Sequence, residues 1–313
     1  MRGRQAVGRI LAFTEHPTAR HRGRDVGFFG YFDCLDDAGA AQALVAHARR
    51  WLETEGCSHL EGPIDLRPAL GGGVLVEGFA RPPVVGAAHN GPHVARLLTG
   101  SGLTPLRELH SWVWSLAAGD EGTERLLARA DRDLARGHVT LRHADLRCLD
   151  EELADWHYLF NASRQDRSGH VPLSRKVFDA IAYDLARVAL DELLLFAVVD
   201  GRPVGVAVTL PDVNPILPSN GRLFPLAWLR LHQRRSRVRQ ARLQWIDVLP
   251  EYRLQGIEAL LLAGTARAAQ DMGLDAIEIC WTDEHDHALN HEIRQVGARL
   301  ERRARIYEGA VSG

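Results

Sequence analysis

Residues 245–258, Trp-Ile-Asp-Val-Leu-Pro-Glu-Tyr-Arg-Leu-Gln-Gly-Ile-Glu, carry an apolar strand pattern into a helix pattern through a proline turn and an Arg-x-x-Gly step. The first turn of a helix leaves its backbone N–H groups unpaired at the positive end of the helix dipole, a natural seat for a pyrophosphate or similar anion. Gly256 has no Cβ to hold such an anion away from the main chain. Val248, Leu249, Arg253, Leu254, Gln255, Gly256, Ile257 and Glu258 are therefore the candidate cofactor-binding residues. Glu258 is the discordant member, because a carboxylate beside a phosphate is unfavourable unless it points away or is neutralised by Arg253.

The flanking patterns supply the scaffold such a loop needs. A strand over 242–248 feeds it, and an amphipathic helix over 257–272 leaves it. A strand over 275–281, a helix over 288–296, Gly297 and a strand over 298–307 complete the series. The first part of the chain repeats this order in pattern rather than identity: strands over 9–13 and 26–33, a helix from about 38 to 55, a strand over 58–63, a helix over 93–98, Gly102, and a strand over 106–116. Where the first copy would need a phosphate loop it has Asp33-Cys34-Leu35-Asp36-Asp37, three acids and no glycine, so it cannot cradle a pyrophosphate in the same way. Ala117-Ala118-Gly119-Asp120-Glu121-Gly122 and the charged run behind it mark a junction. The expectation is an α/β chain with a first domain over 1–118, a helical junction over 119–138 and a second domain over 139–313, each with a mixed central sheet flanked by helices.

Val248, Pro250, Arg253, Gly256 and Ile257, with the element order of residues 140–308, resemble the GNAT superfamily of acyl-CoA-dependent N-acyltransferases. Glu258 stands where that superfamily prefers Gly or Ala, and Ile293 where many members carry a tyrosine. A wider set is similar to a bacterial subfamily in which a truncated, degenerate GNAT-like domain precedes a complete one: Gly27-Phe28-Phe29-Gly30-Tyr31-Phe32, Glu61-Gly62-Pro63, Val76-Glu77-Gly78-Phe79, Pro82-Pro83, Val171-Pro172-Leu173, Leu210-Pro211-Asp212 and Arg305-Ile306-Tyr307-Glu308. The resemblance implies acetyl-CoA or another acyl-CoA as co-substrate, bound by the 253–258 loop, and transfer of the acyl group to the amine of a small metabolite. It implies that the backbone N–H at Val248 meets the thioester carbonyl and that Asn290 touches the coenzyme, although an ordinary helix-surface amide fits Asn290 equally.

Such chemistry needs a deprotonated amine, a stabilised oxyanion and aligned reactants. Asp247 shares a strand face with Trp245 and is the candidate general base; a solvated or arginine-paired carboxylate is the competing reading. Tyr307 is the candidate acid toward the leaving thiolate, with Tyr252 beside the loop as a second phenol, and packing is the alternative for both. Given Glu258 and Ile293, a module that binds acyl-CoA, an acyl carrier protein or another protein without turnover also fits.

Composition narrows the rest. Net charge is −2 and 25% of residues are charged, so bulk charge points to no nucleic-acid partner. The longest apolar runs are of strand length, which predicts no membrane span and a cytoplasmic protein. The four cysteines are scattered, as buried reduced thiols are. Asp283, His287 and His291 recur at metal-ligand spacing, but acids at a helix start are favoured by its dipole alone, and no metal is expected. Residues 211–239 combine an apolar stretch with Arg230, Arg234, Arg235, Arg237 and Arg239, the composition of a lid or of an amphipathic helix with a basic end.

Overall fold

Strand and helix follow the periodicities of the sequence. In the computed structural model, which describes residues 6–14, 25–64, 72–165, 172–217 and 237–312, the first segment contains β1 (Gly8–Thr14), β2 (Val26–Cys34), α1 (Ala38–Thr54), β3 (His59–Gly62), β4 (Val74–Glu77), α2 (His93–Gly100) and β5 (Thr104–Ser115). Then come α3 (Glu121–Ala135), β6 (Thr140–His143), α4 (Leu149–Ala162), α5 (Arg175–Ala186), β7 (Leu194–Val199), β8 (Arg202–Pro211), β9 (Gln240–Val248), α6 (Ile257–Asp271), β10 (Ala276–Asp283), α7 (His287–Gln295) and β11 (Arg299–Ala310). Helix α1 buries Ala41, Val45, Ala48 and Leu52, the single stripe of an amphipathic helix. Helix α6 instead buries ten of its residues, from Ile257 to Ala269, because the sheet covers one side and α3 the other.

Among the described residues all strands join one 11-stranded sheet in the order β1-β2-β3-β11-β5-β10-β9-β8-β7-β6, with β4 pairing β11 off that path. The last strands of the two repeats are exchanged. β5, from the first segment, lies between β10 and β11, while β11 pairs β5, β3 and β4. Strand pattern alone cannot foresee the exchange, since either strand could pair beside its own neighbours. Its consequence is that the two segments share one continuous sheet, and the junction at 119–138 becomes a helix, α3, packed on α6.

Alternation along the strands separates two faces. A Cβ at Gly264 of α6 would lie 3.0 Å from Leu195, and one at Gly205 would lie 3.2 Å from Leu261, so Leu195 and Gly205 face α6. Leu194, Phe196, Val206 and Val208 point the other way, toward α4 and α5. That second face also carries a buried polar row across four adjacent strands: Arg242, Glu278, Ser111 and Arg302. Ser111 donates to Glu278 (2.6 Å), Arg242 donates to the Val85 carbonyl (2.6 Å), and Arg302 donates to the carbonyls of Arg81 (2.8 Å) and Pro82. Asp212 accepts from the Val85 N–H (3.0 Å) and Asn214 donates to the Pro83 carbonyl (2.9 Å). The Pro82-Pro83 and Leu210-Pro211-Asp212 motifs thus meet, and the row fastens the first segment's loop onto the second segment's strands. Among the described residues no helix is long and apolar enough to cross a membrane.

Candidate functional site

The parallel pairing of β9 with β10 runs only from Gln240↔Ala276 to Leu243↔Ile279. Beyond it β9 stays with β8 as far as Val248, while β10 stays with β5 as far as Asp283. The two arms part into a V whose tip is the Leu243/Ile279 pair. The Leu249 N–H is spent on the Val204 carbonyl of the neighbouring chain segment at 2.9 Å. Alternation therefore turns the N–H and carbonyl of Val248 to the opposite side, toward the V. Arg253, whose Nε lies 3.4 Å from the Val248 carbonyl, is on that side.

The loop from Leu249 to Gly256 closes the arm of β9. Pro250–Tyr252 form one 3-10 turn, Leu254 has φ 60° and is 92% exposed, and Gly256 has φ 84°. Gly256 is the N-cap of α6 and no side chain caps that helix start. A left-handed φ at this position favours glycine, and it aims the first N–H groups of α6 outward. Val248, Leu249, Gly256 and Ile257 are thus brought together at one helix start.

Arg253 and Glu258 are placed differently from a simple phosphate clamp. The Arg253 guanidinium turns inward and donates to the Ser163 carbonyl as well as approaching Val248. Gln255 donates to the Glu251 carbonyl at 2.7 Å and so braces the loop. Burial pushes the Glu258 carboxyl above its ordinary range; Glu292 and Asp286 push it further, while a hydrogen bond to its own backbone N–H and the charge of Arg253 oppose the shift. Its carboxyl therefore turns back to its own N–H in the first turn of α6, beside the place an anionic ligand would take. Cationic help comes from α3, where the Arg129 guanidinium lies 3.4 Å from the position of a Gly256 Cβ.

Asp247 is 1% exposed and faces α4. Its Oδ1 accepts from Ser163 Oγ (3.0 Å) and from Arg164 (2.9 Å), which itself stacks on Phe160 at 3.7 Å from the ring centroid. Ser163 and Arg164, missed by sequence reasoning, stand more than eighty residues from Asp247 with no motif to link them. These contacts lock the carboxylate against the end of α4, so the geometry suits a positioning group at the end of β9.

Of two other candidates, Tyr307 lies away from the V and Asn290 stands at the end of its β10 arm. Tyr307 is 1% exposed in the core beside Phe29, Val45 and Leu52, on the stretch of β11 paired with Gly62 and Pro105. Burial is the first cause that raises its phenol above the ordinary tyrosine range. Asn290 is buried in the first turn of α7, accepting from Thr282 Oγ1 (2.6 Å) and donating to the Asp283 carbonyl (2.8 Å). Tyr252 packs against the main core. Of the 211–239 segment, residues 218–236 lie outside the described residues, and Arg239 pairs with Asp275 at 2.5 Å. Asp286 caps α7 through the Leu289 N–H (3.2 Å), and His285 pairs with Asp283.

No family model matches the chain. Among solved structures, a tandem GNAT protein from the clavulanic acid biosynthesis pathway superposes with a TM-score of 0.58 at 14% identity, over 100% of this chain and 82% of that one. A GCN5-related N-acetyltransferase from Sphaerobacter thermophilus gives 0.56 at 12% identity, over 98% and 78%. These similarities show the GNAT fold. In sequence, the chain is 29% identical over 323 residues to the bacterial ceramide synthase of Caulobacter vibrioides, covering 99% of this chain and 82% of that protein. It is 30% identical over 311 residues to Protein YghO of Escherichia coli K12, covering 97% and 79%. With the strand splay, the helix start and the whole-chain match in hand, the chain belongs to the family of the Escherichia coli protein YghO and is built on the GCN5-related N-acetyltransferase fold.

Proposed function

We propose that the chain is an acyl-CoA-dependent N-acyltransferase whose acceptor is the primary amine of a long-chain lipid. The observation that carries the reaction type is the V between β9 and β10, which turns the Val248 N–H toward the gap and ends at the uncapped start of α6. The pyrophosphate of the acyl-CoA rests on Gly256 and Ile257, with Arg129 overhead. Its pantetheine arm runs into the V, so that the thioester carbonyl meets the Val248 N–H. The neutral amine attacks the carbonyl carbon, the tetrahedral oxyanion is stabilised by that N–H, and collapse expels the coenzyme thiolate and forms the amide. One proton leaves the nitrogen for solvent water and one is gained by the thiolate. Asp247, clamped by Arg164 and Ser163, fixes the arm that carries Val248.

The lipid acceptor, in place of the small metabolite amine that the sequence suggests, rests on the likeness to the Caulobacter ceramide synthase along nearly the whole chain. Free thiol released from palmitoyl-CoA in step with amide formation on a long-chain amino alcohol supports the reading. No release from any acyl-CoA with short or long amines would overturn it. Glu258 alone favours a second reading, a module that binds an acyl thioester without turnover; retention of acyl-CoA with no thiol released on any amine would mark that case.

A further inference from the structure

Two residues at the end of α4 grip the β9 arm on both sides of Val248. Before it, Asp247 Oδ1 accepts from Ser163 Oγ (3.0 Å) and from Arg164 (2.9 Å). After it, Arg253 donates to the Ser163 carbonyl and brings its Nε within 3.4 Å of the Val248 carbonyl. Ser163 is the C-cap of α4, so its carbonyl stands among the end-of-helix acceptors that find no partner within the helix. A guanidinium is favoured there, at the negative end of the helix dipole.

The loop is shaped to send Arg253 inward. Arg253 is extended, with φ −67° and ψ 157°, and Leu254 then takes its left-handed φ of 60° with the side chain 92% exposed. The reversal leaves the leucine in solvent and the arginine half-buried against the arm. A guanidinium serving the coenzyme's phosphates would stand over Gly256, and that place is held from α3 by Arg129, 3.4 Å from the position of a Gly256 Cβ. The Arg267–Asp131 pair at 2.5 Å fastens α3 to α6 and so fixes the helix that carries Arg129. The Arg129 side chain is 55% exposed, and its pair with Asp133 is long at 3.7 Å, while Arg136 holds the same carboxylate at 2.9 Å. Arg129 can therefore turn to an anion without stranding Asp133.

We propose that Arg253 is a positioning residue for acyl transfer and that the contact with the coenzyme's phosphates passes to Arg129. This rests on the acyl-transfer reading of the site. The Val248 N–H can stabilise an oxyanion only while the arm that carries it stays where the thioester arrives. Asp247 and Arg253 pin that arm to the same two residues of α4, one on each side of Val248. A displacement of about 1 Å at a reacting centre costs up to about a hundredfold in rate, so the loss of one pin is felt in the chemical step.

Donors with and without phosphates test it. An acyl-CoA is compared with the matching acyl-pantetheine, which has no nucleotide and no phosphate, on one amine. Arg253→Gln is expected to lower kcat/KM by the same factor, at least about tenfold, for both donors. With acyl-CoA the loss lies in kcat, and affinity for coenzyme A by calorimetry stays within about twofold of wild type. Loss confined to acyl-CoA and carried by KM would mark a phosphate ligand and overturn the proposal. Arg253→Lys sharpens the distinction and serves if the glutamine variant has a lowered unfolding midpoint. An ammonium can replace a guanidinium against a phosphate as a point charge, but it lacks the rigid fork that reaches two carbonyls. The lysine variant is therefore expected to keep coenzyme affinity and to lose kcat, and full activity in it would overturn the pin. Arg129→Gln is expected to weaken coenzyme A binding by about tenfold, and unchanged affinity removes the assignment of the phosphates to Arg129. Hydrogen exchange at the Leu249 N–H, which bonds to the Val204 carbonyl at 2.9 Å, reads the arm without turnover. Faster exchange there in Arg253→Gln, with coenzyme affinity kept but no thiol released by wild type, retains the pin and removes the enzyme reading. Unchanged exchange and unchanged kcat/KM in that variant overturn the pin, while wild-type turnover leaves the enzyme reading intact.

Discussion

The two repeats meet their helix starts in opposite ways. In the first, β2 leads into Asp37, whose carboxylate accepts the Ala40 N–H at 3.1 Å and so caps α1 from within the chain. In the second, β9 leads through Pro250 and Arg253 to Gly256, a left-handed residue with no capping side chain, and α6 begins with its N–H groups turned outward. Both copies keep the parallel strand pair and the helix between, Val26↔His59 in one and Gln240↔Ala276 in the other. The strand–helix–strand order is thus common to both, and the proposed coenzyme site is assigned to the segment whose helix start has no capping side chain. The first copy contributes structure instead: β5 lies inside the second copy's sheet, and residues 81–86 sit on the buried polar row.

The contrast breaks most completely at Gly256. Gly256→Val puts a β-branched residue at φ 84° and covers the helix start, and is expected to lower kcat/KM for acyl transfer by at least about a hundredfold, measured by thiol release. Next comes the clamp on the β9 arm. Arg164→Leu leaves the buried Asp247 without its guanidinium and is expected to cost about 2 kcal/mol of stability in urea unfolding, part of which Asp247→Asn restores in the double variant. Glu258→Gln sharpens the comparison by removing the carboxyl in the first turn of α6; acyl-CoA affinity by calorimetry at neutral pH is expected to rise about tenfold.

The pH dependence of that last pair follows from the raised carboxyl. In wild type, affinity climbs as pH falls through the raised Glu258 pKa, while the glutamine variant stays flat. A carboxyl raised by burial contributes stability below its unfolded pKa and loses it as pH rises through the folded one. The variant's unfolding midpoint therefore exceeds that of wild type only above that window, which lies upward from the ordinary glutamate range. The smallest effect belongs to the first copy. Asp37→Ala removes the cap of α1, is expected to cost about 1 kcal/mol, and leaves acyl-CoA affinity unchanged.

Much of this was legible because its chemistry is local. Pro250, Arg253 and Gly256 fall within seven residues, and the strand and helix spans around them follow from periodicity within a few residues of their observed limits. The Asp33–Asp37 run, three acids and no glycine, already separates the first helix start from the second. What escaped depends on partners remote in sequence. The exchange of β5 and β11 is decided by which sheet edge each strand finds. The polar row needed Arg242, Glu278, Ser111 and Arg302 to be seen as neighbours across strands. For Asp247 the sequence leaves a general base and an arginine-paired carboxylate both open, and the partners that pair it, Ser163 and Arg164, come from the end of α4. Asn290 follows from family likeness and Tyr307 from its phenol alone; the partners of their side chains, Thr282 for the one and the core around Phe29 for the other, are remote in the pattern.

The central claim is that coenzyme binds at the open helix start of the second copy and nowhere on the first. Calorimetric titration of palmitoyl-CoA into wild type, Gly256→Val and Asp37→Ala tests it most directly. The account predicts one site per chain, lost in Gly256→Val and retained in Asp37→Ala. Equal affinity in wild type and Gly256→Val would contradict it.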